Sequence, residues 1–239
     1  MLYEIAKPVV RTVLQVVWRP RIEGAGKLPR TGAVIVASNH LGIADTVVMP
    51  ALVGRSVHFL AKAEMFSGGS LANRALGMLL RSLRVMPVER SGGSASQAAI
   101  ETGLAILRKG QVLGIYPEGT RSPDGRLYRG KTGVARLALA VDCPIVPVGM
   151  VGTFEAHRGG RVIPRLSPRI QVRVGDPVRA RDLVPGLAQL PEAQQYRAVT
   201  DALMGRIAAL SGQEQVDRFA ADAKRELAQR QTGPQQPST

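Results

Sequence analysis

Cysteine is nearly missing from this chain: Cys143 is the only one in 239 residues. No internal disulfide can form, and zinc or redox sites built on paired cysteines are excluded. A reducing, cytosol-facing location is the expectation. Aromatic side chains are scarce too, at 4%, which argues against single-stranded nucleic acid, whose stacking platforms need exposed rings among basic groups. The longest stretch without Asp, Glu, Lys or Arg, from Thr31 to Ala44, contains Ser38, Asn39 and His40. No ordinary membrane-spanning helix is expected from it. The opening residues MLYEIAKPVV lack a basic region ahead of their apolar residues and a small-residue cleavage pattern, so no removed signal peptide is expected. Acidic residues are few: 18 against 32 basic ones leave a formal charge of +14. Such an excess favours nucleic acid, an anionic membrane surface or a phosphorylated substrate, and charge alone leaves all three open.

What the chain does have is a 45% hydrophobic content, ample for one domain with its own core. No repeat and no long linker interrupts it. Apolar, β-branched runs at Ala33–Ala37, Val57–Ala61, Arg84–Val88, Val112–Tyr116, Ile145–Gly149 and Arg169–Val174 read as strands. Ser94 with Gln97 suggests a capping-box start for a helix bearing Ile100, Leu104 and Leu107 on one face, with Gly110 as its stop. Strands alternating with helices predict an α/β fold with a largely parallel, helix-covered sheet. Pro144 and Pro147 suggest that the fifth strand is an edge or an irregular one.

The ends differ from this middle. Leu2, Ile5, Val9, Val13 and Val16 or Val17 recur at helical spacing opposite Glu4, Lys7, Arg11 and Gln15, with Trp18, Arg19 and Arg21 following. This suits an amphipathic helix at an anionic membrane surface, and equally a terminal helix docked on the core. Tyr196, Val199, Leu203, Ile207 and Leu210 predict a packed helix over Pro191–Leu210, and the final QRQTGPQQPST predicts a disordered tail. The expected organisation is an N-terminal segment 1–28, a domain 29–211, and a C-terminal helix and tail 212–239.

Two constellations could carry chemistry. In SNHLGIAD, His40 and Asp45 follow a strand. A carboxylate holding one imidazole nitrogen leaves the other free as a general base. On one continuous helix the two would point about 140° apart, so a bend, plausibly at Gly42, is required. A chance Asp five residues after some His occurs about one time in ten in such a chain, so the pair alone is weak. His58 and His157 have no comparable partner and read as ordinary strand and surface histidines. In YPEGTRSPDGR, a strand end delivers Glu118, Gly119, Thr120 and Arg121 to the sheet edge where open α/β folds bind ligands. Arg121 can grip a phosphate, Gly119 lets the backbone approach it, and Glu118 is expected to hold Arg121 or another donor, or to accept from a substrate hydroxyl. A β-turn with a salt bridge fits the same spacing. Arg90, ending RVMPVER, is a second candidate clamp or a solvated strand end. Arg129, Lys131 and Arg136 extend the anion site or coat a helix.

In order, NHLGIAD, RVMPVER, YPEGTRS and PIVPVGM resemble the four blocks of the glycerolipid acyltransferase family, most closely its 1-acylglycerol-3-phosphate acyltransferases. The resemblance spans His40 to Met150 in the right order and spacing. It implies a single α/β domain with a mostly parallel mixed sheet. It makes His40 the general base, Asp45 its orienting partner, and Arg90, Glu118, Gly119, Thr120, Arg121 and Lys131 the substrate-binding set. It also implies direct acyl transfer from a coenzyme A or acyl-carrier-protein thioester to the sn-2 hydroxyl of lysophosphatidate, at the cytoplasmic membrane face, with no cofactor, metal or nucleic acid. Another lysophospholipid, glycerol 3-phosphate or a glycolipid is the alternative acceptor. Consistent with direct attack, no GxSxG elbow is present and Cys143 has no base beside it. Backbone N–H groups near the His40 turn are the expected oxyanion donors. The stretch Glu155–Arg181 has 7 Arg against 2 acidic residues; it suits an anionic leaflet or an acidic carrier protein, or is a solvated face.

Overall fold

The computed structural model describes residues 8, 11–16, 18–42, 44–52, 54–62, 84–88, 93–157 and 169–232. Arg90 and residues 158–168 lie outside this set. Nine strands are described: β1 Arg21–Glu23, β2 Val34–Ser38, β3 Val57–Lys62, β4 Val85–Val88, β5 Val112–Ile115, β6 Leu127–Tyr128, β7 Ile145–Val151, β8 Gln171–Val174 and β9 Gln215–Val216. Seven form one sheet in the order β1-β8-β7-β2-β5-β3-β4, and β6 pairs with β9 separately. From β7 to β4 every pairing is parallel; β8 runs antiparallel to β7, and β1 lies parallel to β8. The sheet is thus mostly parallel and mixed.

Strand β2 is central, and all five of its residues are buried. Both faces of a parallel sheet are covered, so its strands read as continuous apolar runs. Val34 and Val36 point into one core with Val48, Met49, Phe59 and Val148. Ile35 and Ala37 point into the other with Leu107, Leu113, Leu137 and Ile207. The alternation follows from the two-residue period of a strand. Helices α1 (Asp45–Leu52), α2 (Gly93–Arg108), α3 (Gly133–Val141), α4 (Thr153–His157), α5 (Ala180–Leu183), α6 (Glu192–Ser211) and α7 (Ala220–Thr232) complete the order. None of the described helices is long and apolar enough to cross a membrane.

Several expectations are corrected here. Strand β7 is internal, not an edge. Ile35 N–H donates to the Pro144 carbonyl, so the nitrogen of Pro147 faces β8. There β8 breaks step: Gly175 N–H donates to the Pro147 carbonyl, and Ile145 and Val178 then exchange both backbone bonds. The missing N–H falls opposite that irregularity, which is why proline is tolerated. Gln97 does not turn back on the start of α2; its amide donates forward to Glu101 at 3.2 Å. The expected boundary at residue 28 cuts off β1, which belongs to the sheet. Of the expected tail 229–239, residues 229–232 continue α7, where Arg230 pairs with Glu226 one turn earlier at 2.6 Å, and residues 233–239 lie outside the described set. Of the N-terminal pattern only residues 8, 11–16 and 18 are described, and 11–16 are helical. Leu14 is buried and Trp18 packs beside it, whereas Val13 and Val16 are 54% and 76% exposed. The remaining positions of the stripe lie outside the described residues.

Candidate active site

Because β2 and β5 are parallel neighbours, with Ala37 opposite Ile115, the loops that leave them emerge on the same sheet edge. One carries Asn39 and His40, the other Tyr116 to Arg126. Ser122 N–H donates to the His40 carbonyl at 2.7 Å, so the two segments marked out in the sequence are joined directly. The His40 loop is also tied to β7. Asn39 donates to the Met150 carbonyl at 2.9 Å and accepts from Met150 N–H at 2.7 Å, extending the ladder with its side chain. Asn39 donates as well to Gln213 at 2.7 Å, whose own amide donates to the Gly125 carbonyl at 2.6 Å.

Asp45 opens α1, where a negative charge is favoured. It is fully buried. Its Oδ2 accepts from His40 Nδ1 at 3.0 Å, Leu41 N–H at 2.6 Å and Gly42 N–H at 2.8 Å. A carboxylate only accepts, so the His40 proton sits on Nδ1 and Nε2 presents a lone pair. The required bend forms, although Gly42 is not among the glycines at positive φ. Asp45 Oδ1 is buried without a partner. Of the N–H groups near the His40 turn expected as oxyanion donors, those of residues 40, 41 and 42 are committed to carboxylates.

The His40 ring is stacked on Tyr116, with centroids 4.1 Å apart and planes 15° from parallel. Tyr116 in turn stacks on Phe59 at 5.5 Å. Gly114 makes room for that column, since a Cβ there would stand 2.3 Å from Phe59 Cε1. The imidazole is therefore clamped edge-on by Asp45 and face-on by Tyr116, and only 15% of its side chain is exposed.

Glu118 does not hold Arg121. It is fully buried, and its two oxygens accept from His40 N–H at 2.9 Å and Tyr128 N–H at 3.1 Å. It thus spans from the His40 loop to β6. Burial pushes this carboxyl up to about 7, outweighing the two N–H donors; Asp45 adds to the rise and Lys224 opposes it. A carboxyl whose folded pKa lies above its unfolded value holds its proton more tightly when folded, so stability is lost as pH rises from 4.5 to about 7. Relative to wild type, Glu118→Gln should gain on the order of 2–3 kcal/mol between about pH 4 and pH 8. Denaturant midpoints of both proteins across that range measure it, and a constant gap would show that folding does not raise the Glu118 carboxyl.

The turn after Glu118 places Gly119 at φ +72°, a conformation open to glycine. The Lys131 side chain lies across it, within 3.3 Å of where a Cβ would be. Arg121 and Lys131 are exposed. Thr120 Oγ1 accepts from Lys224 Nζ at 2.9 Å, a residue of α7 that no local pattern marked. Tyr116 and Gln213 were also not singled out in the sequence. Only the place of Tyr116, just before the Pro-Glu-Gly turn, hinted at it. Cys143 is buried and its thiol is pushed up to about 11 by desolvation, so it is no nucleophile at neutral pH. His58 sits on β3, buried, with Nδ1 3.3 Å from the Val112 carbonyl. Among the described residues no group of His, Cys, Asp and Glu gathers as a metal site.

Comparison with known proteins places the chain among acyltransferases. The family model described as acyltransferase covers residues 19–151. The 1-acyl-sn-glycerol-3-phosphate acyltransferase of Bacillus subtilis (strain 168) is 26% identical over 208 residues, 86% of this chain and 95% of its own. The alpha 1-acyl-sn-glycerol-3-phosphate acyltransferase of Homo sapiens is 31% identical over 170 residues, and the match covers 70% of this chain and 57% of that one. The crystal structure of the 1-acyl-sn-glycerophosphate (LPA) acyltransferase PlsC from Thermotoga maritima shares the fold, with a TM-score of 0.62 and 23% identity over 87% of this chain and 82% of that one. The family match takes in more than half of the chain, including the His40–Asp45 pair and the Tyr116–Arg121 loop, and this enzyme therefore belongs to the acyltransferase family.

Proposed function

We propose that this enzyme moves a fatty acyl group from a coenzyme A or acyl-carrier-protein thioester to the free sn-2 hydroxyl of 1-acylglycerol 3-phosphate, giving phosphatidate. One observation carries the reading: a histidine fixed with Nε2 free stands on a loop joined to one that presents an unpaired guanidinium. Arg121 makes no ion pair among the described residues, and a planar fork suits a phosphate. His40 Nε2 takes the hydroxyl proton as the oxygen attacks the thioester carbonyl carbon. The C–S bond then breaks, and the leaving sulfur takes the proton from the imidazolium. The negative Asp45 stabilises that cation during the transfer. The names of the relatives support lysophosphatidate as acceptor.

An acceptor panel with one labelled thioester tests this: lysophosphatidate, glycerol 3-phosphate, other lysophospholipids and monoacylglycerol. Lysophosphatidate should show the highest kcat/KM, and Arg121→Ala should raise its KM about 10–100-fold, the worth of one charged hydrogen-bonded contact. A preference for a neutral acceptor, or an unchanged KM in that variant, would overturn the assignment.

The acceptor resides in a bilayer, so the proposal includes peripheral attachment to an anionic membrane surface at the cytoplasmic face. Exposed Val13 and Val16, next to Trp18 and Arg19, support contact with lipid. Flotation with anionic vesicles should fall on deletion of residues 1–18; equal retention would remove the attachment from the proposal.

A further inference from the structure

We propose that Lys224, on the C-terminal helix α7, is a phosphate ligand of the acceptor, acting with Thr120 and Arg121; this rests on the reading of the site given above. Lys224 lies well beyond residues 19–151, where the family match ends. The fold nevertheless holds it at the base-bearing edge. Strand β9 pairs with β6, Leu127 N–H donates to the Glu214 carbonyl at 2.9 Å, and Arg129 N–H donates to the Arg218 carbonyl at 3.0 Å. Ala220 and Ala223 then bury themselves against Tyr128. With α7 so anchored, Lys224 reaches Thr120 with a well-formed bond.

The charges around it do not balance. Lys224 is partly buried, and desolvation together with the nearby Arg121 guanidinium lowers its proton affinity. Arg121, Lys131 and Lys224 form no ion pair among the described residues. The carboxylate that acts on Lys224, Glu118, is buried and has both oxygens committed to backbone N–H groups. Holding two cations side by side in a partly desolvated place is unfavourable until an anion joins them. Thr120 accepts from Lys224 and keeps its own hydroxyl proton to donate. A guanidinium fork, an ammonium and a hydroxyl donor make a site for a phosphomonoester dianion, next to the loop that carries His40.

The test measures kcat and KM for lysophosphatidate, and calorimetric binding of glycerol 3-phosphate, in wild type, Lys224→Met, Lys224→Gln and Lys224→Arg. Gln can keep the bond to Thr120 while removing the charge, so it reads the charge alone if Met disturbs the fold. The expected result is a KM about tenfold higher in the Met and Gln variants, kcat within about threefold of wild type, and recovery of most of the loss by Arg. A purely structural lysine would not give that split or that rescue. An unchanged KM in a folded Gln variant overturns the proposal and leaves the acceptor assignment standing. Should wild type not acylate lysophosphatidate, that assignment falls and glycerol 3-phosphate decides: weaker binding without the charge keeps the phosphate site, and equal or absent binding overturns it.

Discussion

Replacing His40 by alanine should lower acyl transfer by at least about 10³-fold, because the proposed general base is removed and the acceptor hydroxyl keeps its proton. The imidazole is not a free surface group. It is 15% exposed, bonded to Asp45 and stacked on Tyr116, so its loss should also cost about 1–2 kcal/mol in hydrogen bonding and packing. The fold should survive, since Leu41 and Gly42 still occupy Asp45 Oδ2 and Glu118 bonds the backbone of residue 40, not its ring. Single-turnover acyl transfer and a thermal melt on one preparation separate the two effects. Transfer within tenfold of wild type would remove His40 from the chemistry.

Asp45 offers a sharper separation, because its two oxygens are used so unequally. Asp45→Ala strips the partner from His40 Nδ1 and from two buried N–H groups at once, and should cost about 3–5 kcal/mol and essentially all activity. Asp45→Asn can set its carbonyl oxygen where Oδ2 accepts all three bonds and place its amide nitrogen at the partnerless Oδ1 position. The tautomer and the loop are then kept and the negative charge is lost, leaving about 1–3 kcal/mol of destabilisation from the buried amide. Transfer should fall about 10²–10³-fold, since the proposed imidazolium loses its counter-charge in the transfer. Equal activity in the Asn variant and wild type would show that orientation alone is required of this residue.

Much of this site could be read from the chain because it is made of short segments at strand ends. Apolar runs located β2 and β5, and parallel pairing of the two brings NHLGIAD and YPEGTRS to one edge. What could not be read is held by long-range contacts without local pattern. β1, β6 and β9 are two or three residues long, too short for alternation to register. A C-terminal helix was expected in 212–239, but nothing in its local pattern showed that Gln213 and Lys224 reach the loops carrying His40 and Thr120. Glu118 was expected to hold Arg121 or another donor; it holds other donors, and spacing could not name them because Tyr128 N–H lies on a later strand. Pro147 suggested an edge or an irregular strand; sequence could not choose between them because the change of step lies in the neighbouring strand.

The clasp on Asn39 sets an order of events during synthesis. Its side-chain amide is completed by Met150, 111 positions on, and by Gln213, 174 positions on. Contacts that distant carry a large loop-closure cost and form late. A growing chain therefore has its histidine early and the clasp that fixes the His40 loop only after residue 213 has been made, so the geometry of that loop is set late in folding.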